Sequence, residues 1–293
     1  MSTSSSTSAI KPPNTFSNQT PVYFFSHGGP TFMYTEQDPQ IFGGEPGAFK
    51  MLRKIGKEII DTVKPKAVVV LSAHWQATRD TIEVNTAEIT PLIYDFYGFP
   101  SYMYEETYPN VGSKYYGEKV LAALQASGIK ARAVNRGLDH GVWVPFKIAF
   151  PDSKPLTVPI IQTSLFASDD PNQHIALGRA LAPLRDEGIL IICSGMTVHN
   201  LREMGYHGVR PYAKKFDNML ESAINLSGQH RQQELAKLIT TAEARNSHPT
   251  KEHLLPIYIA AGAAYDEPGK LLYTTQTSSL AWGEYRFGSV KKE

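Results

Sequence analysis

Ala67-Val68-Val69-Val70-Leu71-Ser72-Ala73-His74 is the stretch on which the fold turns. From Ala67 to Ala73 the run is nearly all apolar and rich in β-branched residues. It is too short for a typical helix and too uniformly apolar for a strand with one wet face. Such a run reads as a strand covered on both sides, which is the environment of a parallel sheet with helices on each face. It ends on a histidine. Val22–Ser26 (VYFFS) repeats the pattern and ends at His27. Gly188–Cys193 (GILIIC) repeats it again and leads through Ser194-Gly195-Met196-Thr197-Val198 to His199. A shorter strand, Ala131–Val134, leads to Gly137-Leu138-Asp139-His140.

Between these runs the apolar period changes to that of helices. Pro46–Val63 places Phe49, Leu52, Ile55, Ile59, Ile60 and Val63 on one face. Gly112–Ser127, Asn172–Arg185, Pro211–Asn225 and Gln229–Thr240 read as further helices. Glu252–Ala264 is apolar nearly all round and reads as a buried helix with Pro256 near its start. Leu156–Thr163 reads as a strand whose Pro159 implies an edge or a bulge. Leu271–Thr275 and Leu280–Arg286 read as closing strands. The expectation is an α/β fold, one domain with a central, largely parallel (mixed) sheet flanked by helices. Residues 1–18, rich in Ser and Thr, read as a flexible tail, and residues 19–293 as a single domain.

Composition narrows the function. The 293 residues carry 29 Lys and Arg against 28 Asp and Glu, a net charge of +1. No broad field is available to attract nucleic acid or an anionic membrane, and neither is expected as a partner. The N-terminus lacks the basic and apolar regions of a secretory signal, and no apolar run approaches a membrane span. A cytoplasmic setting is expected. Cys193, the single cysteine, rules out an internal disulfide and a thiolate-rich metal site. Any metal must be held by imidazole and carboxylate groups.

Nine histidines are available. His27, His74, His140 and His199 follow four strands at their carboxyl ends, the edge of a parallel sheet where ligands bind. His253 falls in the first turn of the buried helix, with Thr250 as its expected N-cap, and reaches the same edge. Gly28, Gly29, Gly141 and Gly195 beside them suit sharp turns and close approaches. His174 reads as part of a polar helix start, and His207 and His230 lie in polar stretches. His248 reads as a structural loop residue near the site.

Imidazoles without thiolates suit zinc, ferrous iron, copper or nickel, and three protein ligands leave positions open for chemistry. The aromatic stretch from Tyr94 to Tyr102 reads either as a loop tacked to the core or as a lid over a flat substrate, with Tyr94, Asp95, Phe96, Phe99 and Tyr102 as candidate substrate contacts. Phosphate-binding glycine loops, a dinucleotide fingerprint and a serine-nucleophile elbow are absent from the sequence. The residues alone leave three readings open: an oxygen-using metalloenzyme, a zinc hydrolase on a three-histidine site, and a protein that binds a metal or an aromatic ligand without turnover.

The motifs SHGGP (26–30), SAHW (72–75), YDFYGFP (94–100), GLDHGVW (137–143), SGMTVHNL (194–201) and HPTKEHLLP (248–256) occur in this order. Together they resemble the class III extradiol ring-cleavage dioxygenases, and within these the 4,5-DOPA extradiol dioxygenase branch, from about Pro21 to Arg286. The resemblance implies one Fe(II) or Zn(II) ion per chain, with His27, His74 and His253 as ligands. It implies that His199 is the acid–base residue and a possible fourth ligand to a resting zinc ion, and that His140 contacts dioxygen or substrate. It also implies a DOPA-like catechol, a small aromatic diol, as the substrate cleaved with O2. Arg136, Lys147 and Arg202 are candidates for a substrate carboxylate because they lie near motif histidines.

Overall fold

The central strands are apolar at consecutive positions because each faces a packed layer on both sides. The computed structural model describes residues 19–290, so the tail expected at residues 1–18 lies outside the described residues. In chain order the first half holds β1 (Val22–Ser26), α1 (Pro46–Glu58), β2 (Ala67–Gln76), β3 (Thr81–Asn85), α2 (Lys114–Ala126), β4 (Lys130–Val134) and α3 (His140–Ala149). The second half continues with β5 (Ile160–Leu165), α4 (Pro171–Leu181), β6 (Ile189–Gly195), β7 (Val198–His199), α5 (Pro211–Ile224), α6 (Gly228–Leu238) and α7 (Ala242–Ser247). It closes with α8 (Leu255–Ala263), β8 (Gly269–Tyr273), β9 (Gln276–Thr277), β10 (Leu280–Ala281) and β11 (Glu284–Phe287).

Eight strands form one sheet in the order β4-β3-β5-β2-β6-β1-β11-β8. The four central strands β5, β2, β6 and β1 run parallel, while β11 is antiparallel to β1 and β3 antiparallel to β5. Period-2 alternation divides the strand residues between two cores. Val22, Phe24, Val69, Leu71, Ile191 and Cys193 pack with Ile175 of α4, Phe216 of α5 and Tyr258 of α8. Tyr23, Phe25, Val68, Val70, Leu190 and Ile192 pack with Leu52 of α1 and with Trp143 and Phe146 of α3. Three short strands, β7-β10-β9, make a second small sheet that packs on α5. No helix of the described residues is long and apolar enough to cross a membrane.

Several boundaries differ from the sequence reading, each for a local reason. Pro159 lies outside its strand, which begins at Ile160 in the interior of the sheet between β3 and β2. The last helix begins at Leu255, with Pro256 in its first turn, where a missing N–H is harmless. His253 therefore sits in the turn before α8, and Thr250 is no N-cap: its hydroxyl donates to Glu252 Oε1 at 2.8 Å. The expected strand Leu280–Arg286 divides into β10 and β11 around Gly283. His174 does not lie on a polar surface. It is fully buried against Phe166, with Nδ1 2.9 Å from Asp170 O.

The sequence reading contains neither β3 nor α3. Nine of the ten residues of α3 are buried, so it has no polar face to reveal a helical period, and Pro145 interrupts it. Pro145 supplies no N–H to the carbonyl one turn earlier, that of Gly141. That carbonyl accepts a hydrogen bond from the Ser194 hydroxyl at the end of β6.

Candidate metal centre

Strand direction gathers the five site histidines at one edge of the sheet. His27 follows β1, and its backbone N–H donates to Gly195 O at the end of β6 at 3.0 Å. His74 lies inside β2, whose pairing with β5 shifts register between Leu71 and Gln76, an irregularity of the kind that re-aims side chains. His140 is the first residue of α3. His199 lies in β7, opposite Leu280 of β10. The turn carrying His253 is tied to β6 by the Met196 N–H, which donates to His253 O at 2.9 Å. A Cβ on Gly195 would sit 2.2 Å from that same carbonyl, and one on Gly141 would sit 2.8 Å from the His74 ring. Both positions therefore require glycine for close approach.

Four of the five rings, those of His27, His74, His140 and His253, are oriented by a group on the far nitrogen. Ser194 gives its only proton to Gly141 O, so it must accept from the His27 Nδ1–H, 2.9 Å away. Glu252 Oε1 accepts from His253 Nδ1 at 3.0 Å. Asp95 divides its carboxylate. Oδ1 accepts from the His140 backbone N–H at 3.0 Å and from His140 Nδ1 at 2.9 Å, while Oδ2 faces His74 Nδ1 at 3.3 Å. These partners leave the Nε2 lone pairs of His27, His74 and His253 pointing at one another.

His74 Nε2 is 3.1 Å from His27 Nε2 and 3.3 Å from His253 Nε2. Lone pairs facing at such distances repel unless a cation lies between them. A metal at 2.0–2.1 Å from each nitrogen in tetrahedral geometry holds them about 3.4 Å apart. The donor set and its spacing fit a divalent transition metal. Donor atoms of His27, His74 and His140 lie within 4.8 Å of one another, as do those of His199, Glu252 and His253, and His74 joins the two groups.

The electrostatics agree with neutral imidazoles. Burial, reinforced by the neighbouring histidines, pushes His27 and His253 well below the usual histidine range. Burial, then the charge of His140, lowers His74 to about 3. Burial and His253 likewise push His199 down, and its ring stacks on His253 with centroids 3.6 Å apart and planes 12° apart. Burial alone would raise the Asp95 carboxyl, but the His140 hydrogen bond and the charges of His140 and His74 outweigh it and hold Asp95 near 2.

The histidines form one end of a cavity of about 400 Å³. Its walls are mostly apolar, with Phe96, Phe99, Met196, Met204, Leu280 and Trp282 among them, and Phe42, Tyr97 and Leu201 are exposed at its mouth. Of the substrate contacts expected from sequence, Phe96 and Phe99 line this space. Asp95 reaches it too, but both carboxylate oxygens face imidazoles. Tyr94 and Tyr102 are not among the lining residues. The Tyr94 hydroxyl donates to Glu106 O, and Tyr102 packs edge-on against Tyr34. None of the three cationic candidates lines the cavity either. Arg136 pairs with the buried Asp139 and lies over Trp75, Lys147 pairs with Glu106, and Arg202 borders two surface depressions with Glu203. His248 is structural, as expected: it is fully buried, with Nε2 2.9 Å from Thr197 O.

Sequence reasoning gave no role to Ser194, Glu252, Phe42, Leu280 or Trp282. Ser194 and Glu252 lie inside the quoted motifs beside site histidines, which is the one signal that could have marked them. The wall residues come from loops and two-residue strands that carry no period.

Comparison with known proteins places the geometry in context. A family model described as the catalytic LigB subunit of aromatic ring-opening dioxygenase matches residues 21–285. The 4,5-DOPA dioxygenase extradiol of Beta vulgaris is 35% identical over 276 residues, covering 92% of this chain and 97% of that one. A 4,5-DOPA dioxygenase extradiol-like protein of Schizosaccharomyces pombe is 33% identical, covering 86% and 87%. A crystal structure of an uncharacterized protein from Escherichia coli K12 superposes with a TM-score of 0.72 at 28% identity, covering 92% of this chain and all of that one.

Proposed function

The chain belongs to the LigB family of aromatic ring-opening dioxygenases, and from that premise we propose that it opens a catechol ring beside its two hydroxyls, using O2. The observation that carries this reading is the convergence of three imidazole lone pairs at one end of an apolar cavity. His27, His74 and His253 would hold one ion per chain, ferrous iron in the active form, with zinc a competing occupant. When bound, the metal supplies a Lewis-acidic, redox-active centre that lowers the pKa of the diol and brings it together with dioxygen.

The chain's own residues supply the rest. His199, kept neutral by burial, takes a proton from a diol hydroxyl and later returns it to the departing oxygen, which is general base followed by general acid. His140, its Nδ1–H held by Asp95, offers Nε2 to the reacting oxygens. Phe96, in edge contact with His140 at 5.8 Å between centroids, and Trp282 keep bulk water from this end of the cavity. We propose residues 19–293 as one catalytic domain, because residues from His27 to Trp282 line one space. We also propose a cytoplasmic setting, where ferrous iron persists; the buried free thiol of Cys193 is compatible with it.

The test is anaerobic loading with ferrous iron, followed by addition of catechol and O2 in an oxygen electrode. One O2 consumed per catechol, with a yellow ring-opened product, is the expected result. No oxygen uptake with any catechol, from protein of confirmed iron content, would overturn the reading. Zinc-dependent, oxygen-independent hydrolysis would point to the hydrolase alternative. His199→Ala should keep full metal stoichiometry and lose turnover by about 10²–10⁴-fold, the usual share of acid–base catalysis. Metal loss with unchanged activity per bound ion would assign His199 to coordination instead.

A further inference from the structure

Building on the ring-cleavage reading, we propose that the substrate is a catechol bearing a neutral, apolar substituent rather than a carboxylate or an amino-acid side chain. Three features of the cavity carry this. The first is size. An apolar cavity of about 150 Å³ already holds benzene, so an unsubstituted diol would leave most of the roughly 400 Å³ unfilled. The second is chemistry. Beyond the histidines the walls are largely carbon and thioether sulfur, and the ionised side chain that reaches the space is acidic, Asp95.

No lysine or arginine lines the cavity among the described residues. The nearby Arg136 and Lys147 are paired with Asp139 and Glu106. A substrate carboxylate placed there would lose its water without gaining a cation, and would meet the negative charge of Asp95. The third feature is the mouth. Phe42 and Leu201 are 68% and 57% exposed, and Tyr97 is 88% exposed, three large apolar side chains together at one opening. Clustered exposed apolar groups at a concave site mark a surface that a ligand covers. A substituent long enough to pass from the ring to this rim would cover them.

The experiment compares 4-methyl-, 4-propyl- and 4-pentylcatechol with L-DOPA and 3-(3,4-dihydroxyphenyl)propionate. Turnover is followed on the iron-loaded protein. Equilibrium binding is followed separately, by tryptophan fluorescence on zinc-loaded protein without oxygen. Each added methylene should tighten binding by about fourfold until the mouth is passed. The two carboxylated catechols should bind at least tenfold more weakly than 4-propylcatechol.

Leu201→Arg, at an exposed position that tolerates charge, should shift the ratio of carboxylated to propyl substrate by tenfold or more toward the former. Preference of the native protein for either carboxylated catechol would overturn this inference and leave ring cleavage standing. Chain-length-dependent binding without oxygen uptake by the iron-loaded protein would support the inference and overturn the ring-cleavage reading. Absence of binding by every catechol would overturn both.

Discussion

Ser194 carries one hydroxyl proton, and the carbonyl of Gly141 takes it. The oxygen is left able only to accept from His27, which fixes the proton on Nδ1 and the lone pair on the side facing His74. Groups that hold the far nitrogen of a metal-binding histidine typically contribute 10–100-fold to metal affinity. Ser194→Ala is therefore expected to weaken metal binding by about that factor without touching a ligand, read by competition against a chromogenic chelator. An unchanged affinity would show that the His27 tautomer is set by something other than this hydroxyl. Asp95 illustrates the same logic for two rings at once. It looks like a substrate contact in the sequence because it sits in an aromatic stretch, but its oxygens are directed at His74 and His140.

Among the elements, α3 couples backbone to chemistry. Pro145 would be a defect in an ordinary helix, yet here it keeps the Gly141 carbonyl available to Ser194. Pro145→Ala restores an N–H that competes for that carbonyl. The expected outcome is metal affinity lowered a few-fold, less than in Ser194→Ala because a carbonyl has a second lone pair, while the melting temperature of the metal-free protein holds or rises. A fall in melting temperature with intact metal affinity would assign Pro145 to packing alone.

The visibility of elements in the sequence follows from their surroundings. β1, β2 and β6 are legible because burial on both faces writes an unbroken apolar run, and α1 because its one buried stripe writes a period. α3 has no exposed face to write a period and, unlike the equally buried α8 with its proline in the first turn, carries Pro145 in mid-helix. β7, β9 and β10 have two residues each, too few for any pattern. The same divide runs through the site. The histidines are legible because parallel strands deliver their ends to one edge, whereas Phe42 arrives from a loop, and Leu280 and Trp282 from a run that reads as one strand but divides around Gly283.

For the molecule as a whole, burying so many neutral histidines sets its response to acid. Burial holds His27, His74, His174, His199, His248 and His253 below their ordinary value, His74 and His248 to about 3. The unfolded chain protonates each of them near pH 6.5, while the metal-free native state does not, so below that pH the unfolded state binds more protons and gains. Stability contributed by these groups is complete above about pH 6.5 and is lost as pH falls toward 3, at up to about 1.4 kcal/mol per pH unit per histidine. Urea unfolding of metal-free protein at pH 7.5, 6.5 and 5.5 should show a steepening loss; equal stability at 7.5 and 5.5 would contradict it. Metal at a thousandfold excess over its dissociation constant should add about 4 kcal/mol.

The spread of the three proposed ligands along the chain, at residues 27, 74 and 253, also bears on biosynthesis. A chain emerging from the ribosome presents two of them early and the third only 179 residues after the second. Until His253 and the turn that carries it have been made and docked on β6, the proposed three-ligand site is incomplete. Its tightest hold on a metal is thereby tied to the folding of the second half of the sheet.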